Sequence, residues 1–462
     1  MTRMSRSRYE MDMTTGPLLP GVIRFSLPLI LSGILQLLYN AADVMVVGRF
    51  ASTQALAAVG STSSLINLLV NVFMGLSVGA SVTVARAYGA RDARSVHEAV
   101  HTAVSVAAVS GVAVGLLGFF LARPLLEMMQ SPEDVIDLAS TYVRIYFIGM
   151  PFNLLYNFGA AILRATGDTK RPLVYLSISG LINVLLNLLL VIRFRLGVVG
   201  VAVATIVSQA VSMVLVLTCL IRSEGVVRLR LREMRVHPRM LCEIVRVGLP
   251  AGLQSSLFSI SNVLIQSSIN TFGSLAVAGN AAASNLEGFV YTSMNAIYQA
   301  DLTFASQNMG AGRYPRVRRT MWVCLGTVTV IGLALGFLFN ALARPLLGLY
   351  NSDPEVIAFG VIRMSIILPT YFLCGLMDTM VGQLRGVGYS VMPMIVSLTG
   401  ACLLRIVWIM TVFAMPQYHT LRMLYLSYPV SWAITFLAHF ACYLVCARRL
   451  PREATHPSPG GV

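Results

Sequence analysis

The chain has 462 residues, of which 56% are hydrophobic and only 11% charged, with a net charge of +15. Ordinary soluble domains carry roughly 25% charged residues, so this chain lacks the material for a polar shell. The basic residues fall between long apolar blocks, which excludes a nucleic-acid surface and leaves an integral membrane protein in contact with the lipid bilayer.

Residues 1–20 form a polar tail carrying Arg3, Arg6 and Arg8. The apolar stretch after it is too long for a signal-peptide core and is expected to be the first span. Apolar windows between charged, Pro and Gly breaks predict helices at 21–48, 56–84, 98–121, 139–163, 173–192, 198–221, 243–269, 277–305, 320–342, 358–384, 391–413 and 424–446. The expected organisation is an N-lobe at 21–221, a basic linker at 222–242, a C-lobe at 243–446 and a C-terminal tail at 447–462. The linker is the one long basic connection, and the positive-inside rule accounts for it without a ligand. The seven cysteines form no CxxC pair, which supports neither a disulfide framework nor a zinc ribbon.

Loop charges set the orientation. The N-terminus (Arg3, Arg6, Arg8, Arg24) and every second connection hold 25 basic residues, including seven arginines from Arg222 to Arg246. The alternate connections hold eight: Arg49, Arg123, Arg144, Arg193, Arg195, Arg344, Arg363 and Arg422. Positive residues stay in the cytoplasm, so both termini are expected there.

The two halves match at a near-constant offset. ALAAVGST (55–62) pairs with SLAVAGNA (274–281), GARD (89–92) with GAGR (310–313), and LRATGDTKRP (163–172) with LRGVGYSVMP (384–393). Each unit has an even number of spans, so the halves share one orientation about an axis along the membrane normal. The fold expected is all-α: twelve transmembrane helices in two six-helix lobes related by a pseudo-two-fold axis. Parallel repeats of this kind occur in carriers that rock one bundle against another around a midplane site.

Four segments carry a family resemblance: SLPLILSGILQLLYNAADVMVVG in span one, NLLYNFGAAILRATGDTKRP closing span four, AIYQADLTFASQNMGAGR after span eight, and LRGVGYSVMP after span ten. The chain resembles the multidrug and toxic compound extrusion (MATE) transporters over nearly its whole length. That resemblance implies a bacterial inner-membrane carrier that acts as a monomer and exports cationic or amphiphilic small molecules in exchange for H⁺ or Na⁺. The alternative is a flippase for lipid-linked precursors, a wider group that shares the paired lobes. A flippase needs a cationic cavity, whereas the ionisable groups inside these spans are mostly acids. No catalytic constellation and no cofactor beyond the coupling ion is expected.

Charges inside a membrane are costly, so each is a functional candidate. Span one carries Gln36, Asn40 and Asp43 at i, i+4, i+7, along one helical face. Span five carries Asn183 and Asn187 one turn apart, and span six carries Thr205. Measured from the outer helix ends at ~1.5 Å per residue, Asp43, Asn187, Thr205 and Asn183 share a layer about 8–14 Å deep. Asn157 on span four lies deeper and extends the stripe. The resemblance places the family's N-lobe cation site at Asp43, Asn183, Asn187 and Thr205. It also marks a departure, because the position of Asn187 is often Asp. One carboxylate among amides can still hold Na⁺, but a lone buried carboxylate is a natural proton carrier because desolvation favours its neutral form. H⁺ is therefore preferred at Asp43.

The second half holds Glu287 and Asp301 in span eight, Asp378 in span ten and Arg405 in span eleven. Glu287 and Arg405 lie at matching depth and are expected to pair. Asp378 is expected to face the C-lobe cavity or to neighbour Arg405, in a group that is either substrate-binding or a structural charge network. Some relatives carry an acid in span seven; here that span offers uncharged groups such as Gln254, which argues against a C-lobe Na⁺ site. Tyr39, Phe152, Tyr156, Tyr291, Met294, Tyr298 and Tyr371 are candidates for lining a permissive cavity.

His97-Glu98-Ala99-Val100-His101 matches the HExxH zinc-protease pattern. It lies at the mouth of span three with no third ligand apparent, so a polar helix end is expected and no metal site.

Overall fold

Within lipid, a single chain segment satisfies all its backbone N–H and C=O groups only as a helix, and the long apolar blocks of this chain fold accordingly. The computed structural model describes residues 9–50, 53–128 and 133–448. Arg3, Arg6, Arg8, Arg449 and Arg452 of the expected tails lie outside the described residues. In chain order the helices are α1 (Leu18–Phe50), α2 (Thr53–Gly89), α3 (Ala93–Met128), α4 (Glu133–Ile148), α5 (Met150–Ala165), α6 (Lys170–Asn187), α7 (Gly197–Arg222), α8 (Pro238–Asn270), α9 (Ser274–Gly310), α10 (Tyr314–Ala341), α11 (Ala343–Gly348), α12 (Pro354–Thr370), α13 (Phe372–Val387), α14 (Val391–Ser397), α15 (Leu404–Trp408) and α16 (Leu421–Ala447).

Among the described residues, eight helices are long and apolar enough to cross a bilayer, and ten when the bent pairs α4–α5 and α12–α13 each count as one span. α8 and α9 supply the other two at 33 and 37 residues. They are long enough, but residues such as Gln254, Ser255, Asn262, Glu287 and Asp301 dilute their apolar character. All twelve expected spans are therefore helical, with ends that differ from the expected bounds by up to seven residues. Proline explains the bends. Pro151 opens α5 after a 46° break and Pro369 lies just before a 48° break, and each lacks the N–H that would continue the ladder.

The repeat is visible in the backbone. Gly167 and Gly388, repeat mates after α5 and α13, both take left-handed φ values, +92° and +112°. Arg91 and Gly312 do the same within GARD and GAGR. Leu188–Arg193 and Ile409–Phe413 both wind into π-turns at matching places.

By internal contacts the chain forms two compact units, one of Met1–Glu10, Leu27–Val84 and Ala93–Thr271, the other of Met11–Ser26, Ala85–Asp92 and Phe272–Val462. α8 groups with the first unit, and the α2–α3 turn with the second, so these units cross the expected division at 222–242. Within the second unit, a Cβ on Gly89 would strike the backbone of Gln307, and one on Gly310 the backbone of Arg86. Residues 86 and 307, like 89 and 310, are repeat mates. The two contacts exchange under the repeat, as a two-fold axis requires.

Within the first unit, Gly75 and Gly79 of α2 face Gly248 and Gly252 of α8, two small-xxx-small faces that let the backbones touch. A Cβ at Gly252 would sit against the backbone of Val72. Gly252→Leu should therefore lower the apparent melting temperature in detergent by several degrees, in line with the roughly 1–3 kcal/mol cost of overpacking. Leu253→Ala, at an exposed neighbouring position, is the control, and equal melting of the two variants would contradict the close approach. On α3, Val109, Val112, Leu116 and Phe120 are exposed at helical spacing, while Ala103, Ala107, Gly111, Val114 and Gly118 are buried. Lipid covers the first stripe and protein the second. A buried cluster of Phe147, Met150, Leu154, Val198, Val201 and Ala202 also takes in Val46 and Val47 of α1. Those two valines follow Asp43 by about one turn and fix the rotation of α1 about its axis.

Candidate functional site

α1 and α6 bring three of the expected N-lobe residues, Asp43, Asn183 and Asn187, together. The Asn187 Nδ2 group donates to Asp43 Oδ1 and also lies 3.2 Å from Asn183 Oδ1. Asn183 and Asn187 are buried, Asp43 is half-buried, and Asn187 Oδ1 is buried with no hydrogen-bond partner. Asn187 is the last residue of α6 before the wider π-turn, a local irregularity that often marks functional positions. Thr205 Oγ1 donates to Val201 O at 3.0 Å, which leaves its oxygen lone pairs free to accept. Where α1 meets α6, one carboxylate therefore stands with amide groups, whose oxygens are hard donors.

Other expected members do not join it. Gln36 and Asn40 are exposed, and Asn157 bonds Asn153 O at 2.9 Å within its own helix. Tyr39 donates to Ser177 O and packs on Gly180, while Tyr156 donates to Pro172 O. Both tyrosines tie helices together. Sequence reasoning missed Tyr142 of α4, which lies in electrostatic reach of Asp43, and Tyr146, which bonds Gln209 of α7. Their i, i+4 spacing on α4, and the same spacing of Thr205 and Gln209 on α7, was the available signal.

In the second unit the expected Glu287–Arg405 pair is replaced by another. Arg363 of α12, expected in a loop, is buried and grips Glu287 with both ends of its guanidinium, Nε to Oε1 at 2.8 Å and Nη2 to Oε2 at 2.7 Å. Its Nη1 donates to Asn280 Oδ1 at 2.6 Å, which also accepts from Tyr425 at 3.2 Å. Arg405 instead donates to Ser431 Oγ at 2.8 Å and lies over the rings of Tyr428 (4.3 Å) and Trp432 (5.5 Å). Its Nη2 is buried without a hydrogen-bond partner. Asp378 bonds the Tyr291 hydroxyl; Tyr291 stacks on Tyr371, which in turn meets Trp432. Tyr298 accepts from Arg385 Nη1 at 2.9 Å, and Arg385, also expected in a loop, is buried. Asp301 is fully buried beside Cys324, with no N–H or O–H donor on either oxygen. Gln254 is buried on α8, in the first unit.

The HExxH segment has gained a third candidate ligand, contrary to expectation. The linker returns over α3, and Glu233 Oε2 comes within 3.0 Å of His97 Nε2. Arg230 bonds Glu233 and holds its carboxyl below the usual carboxylate range.

A family model for MatE matches residues 28–189 and 250–411, one copy in each half. The probable multidrug resistance protein YoeA of Bacillus subtilis is 27% identical over 434 residues, covering 91% of this chain and 92% of that protein. The probable multidrug resistance protein NorM of Thermotoga maritima is 28% identical over 389 residues, covering 81% and 82%. A solved outward-facing multidrug resistance MATE family transporter of the MOP superfamily superposes with a TM-score of 0.91 at 20% identity, over 97% of this chain and 100% of that one.

Proposed function

We propose that this chain, which belongs to the MatE family, is a secondary active carrier exporting cationic and amphiphilic small molecules in exchange for H⁺ or Na⁺. The observation that carries this reading is the contact of Asp43 with Asn187 and Asn183, which ties one intramembrane carboxylate on α1 to amides on α6. The spanning helices make it a multi-pass membrane protein. It acts as a monomer in a bacterial inner membrane with both termini in the cytoplasm, and it alternates access by rocking one repeat against the other.

H⁺ is the favoured coupling ion. With Asn at 187 the layer contains a single carboxylate, and Asn187 presents its N–H group to Asp43. A proton needs only the carboxyl group. Uptake of a fluorescent organic cation into inverted vesicles, driven separately by ΔpH and by a Na⁺ gradient, tests this. ΔpH-driven uptake is expected; Na⁺-driven uptake indifferent to ΔpH would overturn the choice of ion.

A second reading, a flippase or exporter of anionic amphiphiles, is favoured by Arg405, which has aromatic rings and a serine around it and a guanidinium N–H left unbonded. Uptake of an anionic probe with no uptake of the cation would select it.

A further inference from the structure

We propose that His97, His101 and Glu233 form a binding site for a divalent transition metal, Zn²⁺ by ligand chemistry, which clamps the 223–237 linker to the start of α3. The site lies apart from the carrier layer and does not depend on the coupling ion.

The helix supplies two ligands. His97 and His101 are one turn apart in the first turns of α3, with ring centroids 4.0 Å apart. The linker supplies the third through the single turn Leu231–Glu233. One ligating atom from each residue lies within 4.8 Å of the other two. Tetrahedral Zn²⁺ with bonds of ~2.0–2.1 Å holds its ligands about 3.4 Å apart, so side-chain rotations that bring the ligand atoms at most about 1.4 Å closer complete the site.

The surrounding hydrogen bonds already orient these ligands. His101 Nδ1 lies 2.8 Å from the His97 carbonyl oxygen and donates to it, which leaves the lone pair on Nε2. That lone pair accepts the Arg230 amide at 3.1 Å. A backbone carbonyl holding the far ring nitrogen is the usual outer support of a metal-binding histidine. Glu233 is held the same way, its Oε1 bonded to Arg230 Nη1 at 3.0 Å while Oε2 faces His97. His101 is fully buried and forms the floor, whereas the His97 and Glu233 side chains are 33% and 44% exposed, which gives an ion a path in from solvent. Two imidazoles and one carboxylate suit Zn²⁺, while Mg²⁺ and Ca²⁺ demand all-oxygen shells. Proteolysis is not implied, because Glu98, the would-be base, is bonded to Arg94 Nε at 2.9 Å.

Metal binding has a structural consequence. The ion takes the Nε2 lone pair of His101 that now accepts the Arg230 amide, so the turn before Arg230 must shift. The linker stays docked meanwhile, because the His237 amide donates to Thr102 Oγ1 at 3.0 Å. Removing the metal should therefore not unfold the protein.

The test uses the full chain, purified without a histidine tag, stripped with chelator and titrated with ZnCl₂ or MgCl₂ by calorimetry, with bound metal counted by mass spectrometry. One Zn²⁺ per chain and no competition from Mg²⁺ are expected. His97→Ala and Glu233→Gln should each weaken Zn²⁺ binding at least ~100-fold, the upper end of what loss of an outer support costs. The metal-free variants should melt like the parent, and Cys242→Ser, at an exposed cysteine, should bind Zn²⁺ normally. The proposal is overturned by absence of stoichiometric Zn²⁺, by unchanged binding in both ligand variants, or by loss of binding in Cys242→Ser.

Discussion

Asp43→Asn is expected to abolish ion-driven efflux while leaving a folded, membrane-inserted protein. The substitution keeps the side-chain size and a carbonyl oxygen that can accept from Asn187 Nδ2, so the α1–α6 contact survives. It removes the one group in the layer able to change charge. Coupling free energies between sites are typically about 1–3 kcal/mol, or roughly 5–150-fold, and under the proposed coupling at Asp43 this variant should forfeit that advantage. Initial rates in proteoliposomes under an imposed ΔpH should fall to the level of an unenergised control, with the melting curve unmoved. Parental rates in this variant would show that the layer only packs helices. Asn187→Asp is the informative partner. It adds a second carboxylate one turn from Asn183, and under the proposed H⁺ coupling it should confer a new Na⁺ dependence.

How much of this was legible depends on what a helix fixes and what it leaves open. Periodicity places Asn183 and Asn187 on one face and depth puts Asp43 in their layer, while the family resemblance is what grouped them as one site. Depth did not choose between two arginines. Arg363 and Arg405 both enter the second unit, and Arg363 counts among the loop charges because it stands near the outer end of the expected span 358–384. The helix in fact begins at Pro354, with Asp353 as its cap, and carries Arg363 more than two turns inward to Glu287. Glu233 was beyond reach for another reason. Its approach to His97 depends on the path of an irregular linker, which no periodicity constrains.

Arg363→Ala is expected to be the most destabilising change in the second unit. It strips Glu287 of its bidentate partner and removes the donor to Asn280 within a buried network. Removing one member of a buried ion pair costs about 3–5 kcal/mol, because the other charge stays desolvated and unpaired. The apparent melting temperature in detergent should drop sharply and the yield with it. Glu287→Gln in the same chain should recover part of the loss, since a neutral amide needs no counter-charge. The apolar pair Arg363→Met with Glu287→Leu should recover more, since buried pairs often do no better than well-packed apolar residues. Transport then separates structure from mechanism. If the doubly apolar protein is stable and still exports substrate, the pair is a strut between α9 and α12. If it is stable but inactive, the Glu287–Arg363 pair takes part in the transport cycle itself.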